Sequence, residues 1–249
     1  MQVGLIGSGN MARAMARGWG RPVLCSDPLR ERAEALVAEL GGEALQSNAE
    51  VAERADLVVL CHKPAQLDVV AAEVAPHARA VASILAATPL AALKGAYPGR
   101  PVYRFIPSLP VEVRQGAVVG AAGPEQDPDT DRAVAELFAE LGSLVVLDDK
   151  LVDVAMGLMS CAPAYVALVA EAQVDAGVRR GIPAAQGAAL VVQTLAGTAE
   201  LLRRRGNDTV AIRREVASPG GLTARGLDAL ERGGIRTAFS DALDAVLED

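Results

Sequence analysis

Aromatic residues make up only 3% of this 249-residue chain, although 51% of it is hydrophobic. A core with so few rings has to be built from Ala, Val and Leu, which suits helices and buried parallel strands better than an antiparallel sandwich. Cysteine is scarce too. Cys25, Cys61 and Cys161 are odd in number and far apart, which leaves no disulfide framework and no metal-spaced pair; a reduced compartment is the simplest reading. With only two histidines, at 62 and 77, no zinc site is expected. Long basic runs are missing and the net charge is −7, which argues against a nucleic-acid partner, since phosphate binding draws on clustered Lys and Arg. The one cluster, Arg203-Arg204-Arg205, ends an Ala- and Leu-rich stretch and reads as a solvated helix end. No apolar run reaches membrane-spanning length free of charges and turn residues, and no basic-then-apolar leader precedes the strand-like Gln2-Val3-Gly4-Leu5-Ile6. A cytoplasmic protein with no membrane partner is the expectation.

What is present divides into two textures. Up to residue 149, short apolar runs alternate with amphipathic stretches. "QVGLI", "PVLCS", "DLVVLC", "RAVASIL", "PVYRFI" and "SLVVL" are strand candidates, and residues 11–19, 29–40, 48–54 and 129–141 have helical spacing. That alternation predicts an α/β domain with a mainly parallel sheet covered on both faces. From residue 150 to 249 apolar residues recur at three and four, which predicts an all-helical domain. Gly181-Ile182-Pro183 and Arg205-Gly206-Asn207-Asp208 are its clearest breaks, the second ending in a candidate N-cap. Long Ala-rich helices with small residues on several faces are either deeply buried or packed on another subunit, and oligomerisation through this half is expected.

The chemistry begins at Gly7-Ser8-Gly9, which follows the first strand and leads through Asn10 and Met11 to Ala12. This is G-x-G-x-x-A in a strand–turn–helix setting. The first glycine permits the tight turn, the second admits a pyrophosphate, and the small third residue lets helix and strand pack closely. A Rossmann-type dinucleotide-binding domain is therefore expected. Asp27 ends the second strand, twenty residues after Gly7. A carboxylate there can accept the ribose hydroxyls of NADH and repel the 2′-phosphate of NADPH, so NADH is favoured over NADPH. Arg30 and Arg32 lie just beyond and could bind a phosphate, and Asp27 fits equally well as a cap before Pro28. Lys63-Pro64 follows the apolar strand "LVVLC", where strand carboxyl ends meet the cofactor crevice, and a backbone contact to cofactor is one reading of it. His62 beside them reads as structural. Arg104, inside an apolar strand, is expected to pair with an acid or border the crevice.

Several segments together resemble the Δ1-pyrroline-5-carboxylate reductases, nearly end to end. They are "GLIGSGNMA" (4–12), "VVLCHKPAQL" (58–67), "VYRFIPSLP" (102–110), "APAYVALVAEAQVDAGVRRGIP" (162–183) and "EVASPGGLTARGLDALERGG" (215–234). The last is the most specific. The chain departs from the family pattern at Ile106-Pro107-Ser108-Leu109-Pro110, where Met-Pro-Asn-Thr-Pro is usual. It departs again at Ser160-Cys161-Ala162-Pro163-Ala164-Tyr165, where Gly-Ser-Gly-Pro-Ala-Tyr is usual. The resemblance implies reduction of a cyclic imino acid, 1-pyrroline-5-carboxylate, to L-proline by hydride transfer from NADH or NADPH. It implies interlocked helical domains in a homodimer or larger homo-oligomer, with each site borrowing residues from its neighbour. It also implies that Thr223 is the active-site threonine. Adjacent glycines at a helix start expose backbone N–H groups to an anion, so Gly220 and Gly221 suit the substrate carboxylate; Ser218 could cap the helix or donate to the same carboxylate. Taken alone, Ser-Pro-Gly-Gly is also an ordinary helix stop.

Two other readings remain open: a reductase of a different cyclic imine, and a dinucleotide-binding sensor without turnover. A β-hydroxyacid dehydrogenase is disfavoured, because oxidising an alcohol needs a base, commonly a lysine on the helical domain. After Lys150 the chain has no lysine.

Overall fold

The computed structural model describes residues 1–248. The first compact unit runs from Met1 to Pro163. It contains β1 (Val3–Ile6), α1 (Asn10–Trp19), β2 (Val23–Ser26), α2 (Arg30–Leu40), β3 (Gly42–Ala44), α3 (Asn48–Arg54) and β4 (Leu57–Leu60). A 3-10 turn (Pro64–Gln66) leads into α4 (Leu67–Val74), followed by β5 (Val81–Ser83), α5 (Leu90–Ala96), β6 (Val102–Pro107), β7 (Gly116–Ala122), α6 (Pro128–Ala139), β8 (Gly142–Asp148) and α7 (Asp149–Met159). The eight strands form one sheet in the order β3-β2-β1-β4-β5-β6-β7-β8. All pairings are parallel except β6 with β7.

The inner strands are apolar on both faces because helices cover both. Along β4, Leu57 and Val59 join a core with Met15, Trp19, Leu36 and Phe138, while Val58 and Leu60 join another with Val51, Val74, Leu93 and Tyr97. Side chains alternate across a strand, so each half of β4 fills a different layer. The few aromatics are concentrated in the first layer. Phe105 stacks on Phe138 at 3.9 Å between centroids, and the Trp19 indole N–H donates to the Leu137 carbonyl at 2.9 Å. Order reversal at β1 and β4 opens a crevice at their carboxyl ends, where such sheets bind ligands.

The second unit, from Ala164 onward, is helical. After α8 (Ala162–Val178) come α9 (Ala184–Arg204), α10 (Thr209–Val216), α11 (Leu222–Arg232) and α12 (Ile235–Leu247). Asp208 caps α10, accepting from the N–H groups of Val210 and Ala211 at 3.0 and 2.9 Å. No residue of α8 is buried, and Leu168 is 64% exposed. Apolar helix faces left open in a single chain are typical of surfaces that another subunit covers. Residues 149–178 are long and apolar enough to cross a membrane by length and composition, but they form α7 and α8, two helices broken at Ser160 and Cys161.

Candidate active site

The two glycines of the first turn are needed for different reasons. Gly7 has φ +98°, and a Cβ there would sit 3.0 Å from the Cys61 carbonyl oxygen. Only glycine tolerates that backbone and that approach. Gly9 is extended (φ −69°, ψ −175°), a conformation open to any residue, and a Cβ there would meet nothing within 4 Å. Nothing inside the chain requires glycine at position 9. A glycine there leaves the backbone open to a ligand's approach. Gly9 starts α1 with no side-chain cap and no acid in its first turn, so no side chain satisfies the first N–H groups of the helix and its dipole favours an anion beside them. Ala12 is 1% exposed and packs into the core. The turn fits the pyrophosphate of a dinucleotide.

Asp27 is tied to this turn. Its Oδ2 accepts from the Ser8 N–H at 2.7 Å and the Ser8 hydroxyl at 3.1 Å, and its Oδ1 accepts from the Leu29 N–H at 2.8 Å. The carboxylate thus stabilises the entry to α2 and clasps the glycine-rich loop, with acceptor capacity left over. Beside it is a cavity of about 220 Å³ bordered by Ser26, Asp27, Asn48 and Glu73. The Ser26 hydroxyl donates to Asn48 Oδ1 at 2.6 Å, and Asn48 Nδ2 donates to Glu73 at 2.7 Å. Sequence reading did not single out Ser26, Asn48 or Glu73. Arg30 pairs with Glu34 at 2.7 Å.

A second cavity, of about 210 Å³, lies at the carboxyl ends of β4, β5 and β6. Met11 of α1 borders it with Cys61, His62 and Pro64 after β4, residues 84–86 after β5, Ile106 and Pro107 of β6, and Met156 and Ser160 at the end of α7. Its walls are mainly apolar, as a flat ring needs. Lys63 precedes the 3-10 turn that Pro64 opens, and its carbonyl accepts from the Gln66 N–H at 3.0 Å and from His62 Nδ1 at 2.9 Å. Burial lowers the His62 pKa, so the ring is neutral near pH 7. Burial raises that of Cys61, which keeps it a thiol. A buried, protonated thiol lacks the properties of a catalytic nucleophile. The two departures from the family pattern meet here. The Ser160 hydroxyl donates to the Pro107 carbonyl at 3.1 Å, and buried Ser108 ties β6 to β7 by accepting from the Ala117 N–H at 2.9 Å.

The 218–223 stretch lies in the second unit and runs from the turn after α10 into the first residues of α11. Gly220 has φ +71°, which favours glycine, whereas a Cβ on Gly221 would meet the rotatable Ser218 Oγ at 2.6 Å and the Ser218 carbonyl oxygen at 3.1 Å. The Gly221 N–H donates to the Ser218 carbonyl at 3.0 Å; the open donors at this helix start are therefore those of the residues that follow. α11 has no side-chain cap and no acid in its first turn. Ser218 and Thr223 are exposed. The cofactor candidates thus gather in one unit and the substrate candidates in the other.

Comparison with known proteins bears on both halves. Residues 149–249 match the family model described as pyrroline-5-carboxylate reductase dimerisation, and residues 2–87 match one described as NADP oxidoreductase coenzyme F420-dependent. Pyrroline-5-carboxylate reductase 3 of Mus musculus is 34% identical, covering 98% of this chain and 93% of its own length. The chain belongs to the pyrroline-5-carboxylate reductase family. Among solved structures, the 1-pyrroline-5-carboxylate reductase of Streptococcus pyogenes has a TM-score of 0.89 at 27% identity, covering 99% of this chain and 96% of its own. The Plasmodium falciparum enzyme, solved with NADP bound, shares the fold with a TM-score of 0.88 at 24% identity, covering 99% and 95%. As a member of this family the chain is an oxidoreductase with a nicotinamide dinucleotide cofactor, and its dimerisation domain makes it a homo-oligomer.

Proposed function

We propose that this reductase converts 1-pyrroline-5-carboxylate to L-proline, as a cytoplasmic homodimer or larger homo-oligomer. Residues 1–149 serve the cofactor, with α7 closing the nicotinamide side, and residues 150–249 serve substrate and dimerisation. The observation that carries the reading is the glycine-rich turn at the start of α1, where Gly9 leaves the backbone open at an uncapped helix N-terminus. Gly7, Gly9, Asn10, Met11 and Ala12 form the pyrophosphate turn. Asp27 faces the adenosine ribose, and Lys63 and Pro64 border the nicotinamide side. A reduced nicotinamide supplies the hydride. The chain's own residues supply placement. An imine protonated on nitrogen is already electrophilic, so the protein needs to hold it rather than activate it with a strong acid. The Thr223 hydroxyl accepts from the ring N–H. Gly220 and Gly221 shape the turn so that Ser218 and the open backbone N–H groups at the uncapped start of α11 hold the carboxylate. Such donors are pre-oriented and need no rearrangement as charge shifts.

NADH is the favoured donor. Asp27 and Glu73 both border the ribose cavity, and two carboxylates there disfavour a 2′-phosphate. One feature favours a second reading, reduction of a different cyclic imine: Ser160 adds a hydroxyl to the cavity where the family pattern has glycine. The test is a panel of five- and six-membered cyclic imino acids with each cofactor. Turnover of 1-pyrroline-5-carboxylate, faster with NADH, supports the proposal; turnover of another imine alone favours the second reading.

A further inference from the structure

Arg104 of β6 is fully buried, its side chain 0% exposed. Nη1 donates to Asp149 Oδ1 at 2.8 Å and to the Asp149 carbonyl at 3.2 Å, and Nη2 donates to Asp153 Oδ1 at 2.6 Å. Both acids belong to α7, and both carry the connection further. Asp149 Oδ2 accepts from the Leu90 N–H at 2.9 Å, and Asp153 Oδ1 accepts from the Ala87 N–H at 3.3 Å. Ala87 is left-handed, with φ +50°, and follows directly on residues 84–86, which line the cavity at the strand ends. That conformation is uncommon in a residue with a Cβ and needs surrounding structure to hold it.

The same acids sit on the helix that forms the opposite wall. Asp153, Met156 and Ser160 are spaced three and four residues apart, which puts them along one face of a helix; Met156 and Ser160 line the cavity. Ile106, two residues beyond Arg104 on one side of β6, is a third part of the wall. One buried guanidinium therefore sets the spacing of the β5 loop, α7 and the end of β6. The arrangement is not what packing alone would choose. Arg104 Nε is buried without a partner, and apolar residues fill such positions at least as stably.

We propose that Arg104, acting through Asp149 and Asp153, is a positioning residue for the nicotinamide end of the cofactor site. The proposal rests on the dinucleotide reading above. Its test compares NADH with ADP-ribose, which lacks the nicotinamide and reports only on the pyrophosphate turn and adenosine side. Asp153→Ala removes one arm of the fork and the tie to Ala87, at a position 36% exposed, while Asp149 still pairs with Arg104. Asp153→Asn keeps an acceptor for both donors. Dissociation constants of the two ligands are measured by titration, with thermal unfolding alongside. Asp153→Ala is expected to weaken NADH roughly tenfold, within the range of such indirect coupling, and to leave ADP-ribose unchanged. Asp153→Asn should recover most of the loss. Unchanged NADH affinity, or parallel weakening of both ligands, overturns the positioning role and leaves the cofactor reading intact. If the wild-type protein binds neither ligand, the cofactor reading falls and takes this proposal with it.

Discussion

Gly7 and Gly9 are the same residue type held by opposite causes, and substitution separates them. Alanine at position 7 meets both a left-handed backbone and the Cys61 carbonyl, so Gly7→Ala should cost about 1–3 kcal/mol of folding stability. Alanine at position 9 is comfortable in the free protein. Gly9→Ala should unfold within about 0.5 kcal/mol of wild type yet lose dinucleotide affinity by roughly tenfold or more, a methyl group being placed where the pyrophosphate must approach. Denaturant unfolding and a dinucleotide titration on both variants check this. A Gly9→Ala protein that binds NADH normally would remove the strongest local reason for the cofactor site. Both glycines and Ala12 were legible in the sequence, since their roles follow from strand–turn–helix order. Asp27 was legible as a candidate only. Its two readings, ribose acceptor and turn cap, could not be separated without seeing that Ser8 donates to it twice.

At the level of elements, the buried strands were easy to read because both faces are apolar; β1, β2 and β4 appear in the sequence as unbroken runs. The strands that sequence reading missed have no such signature. β3 is Gly-Glu-Ala, and Gly42 is there because a Cβ would lie 1.9 Å from the Val23 carbonyl oxygen. β7, Gly-Ala-Val-Val-Gly-Ala-Ala, is too rich in small residues to stand out and pairs antiparallel with β6. Likewise Ser26, Asn48 and Glu73 meet through tertiary approach, and no spacing rule announces them. The helical half was read well from its breaks. Asp208 caps α10 with two backbone donors, so Asp208→Ala should destabilise the protein by about 1 kcal/mol, seen as a lower urea midpoint with an unchanged slope. No shift would mean that α10 is held by packing alone. The glycine-rich start of α11 carries a different lesson. Two adjacent glycines at a helix start suggested open backbone donors for an anion, yet the Gly221 N–H is taken by the Ser218 carbonyl, and the role of Thr223 rests on family resemblance.

For the whole molecule, the dimerisation model spanning residues 149–249 and the open apolar faces of α8 belong together. If each site borrows Thr223 from a neighbour, two inactive chains should complement each other. Mixed after dissociation, Thr223→Ala and Gly9→Ala subunits should recover roughly a quarter of wild-type activity, because half of randomly assembled dimers carry one intact site. No recovery would place both halves of the site in one chain. If placement by the 218–223 turn is enough to reduce a cyclic imine, the reaction needs no strong acid or base. The most direct test is the rate of NADH and NADPH oxidation with 1-pyrroline-5-carboxylate, in the wild-type protein and in Thr223→Ala. The wild type should turn over, and the variant should lose roughly tenfold or more in kcat, with NADH affinity unchanged. Wild-type protein that binds NADH but reduces none of the imine, or a Thr223→Ala variant as fast as wild type, would contradict this.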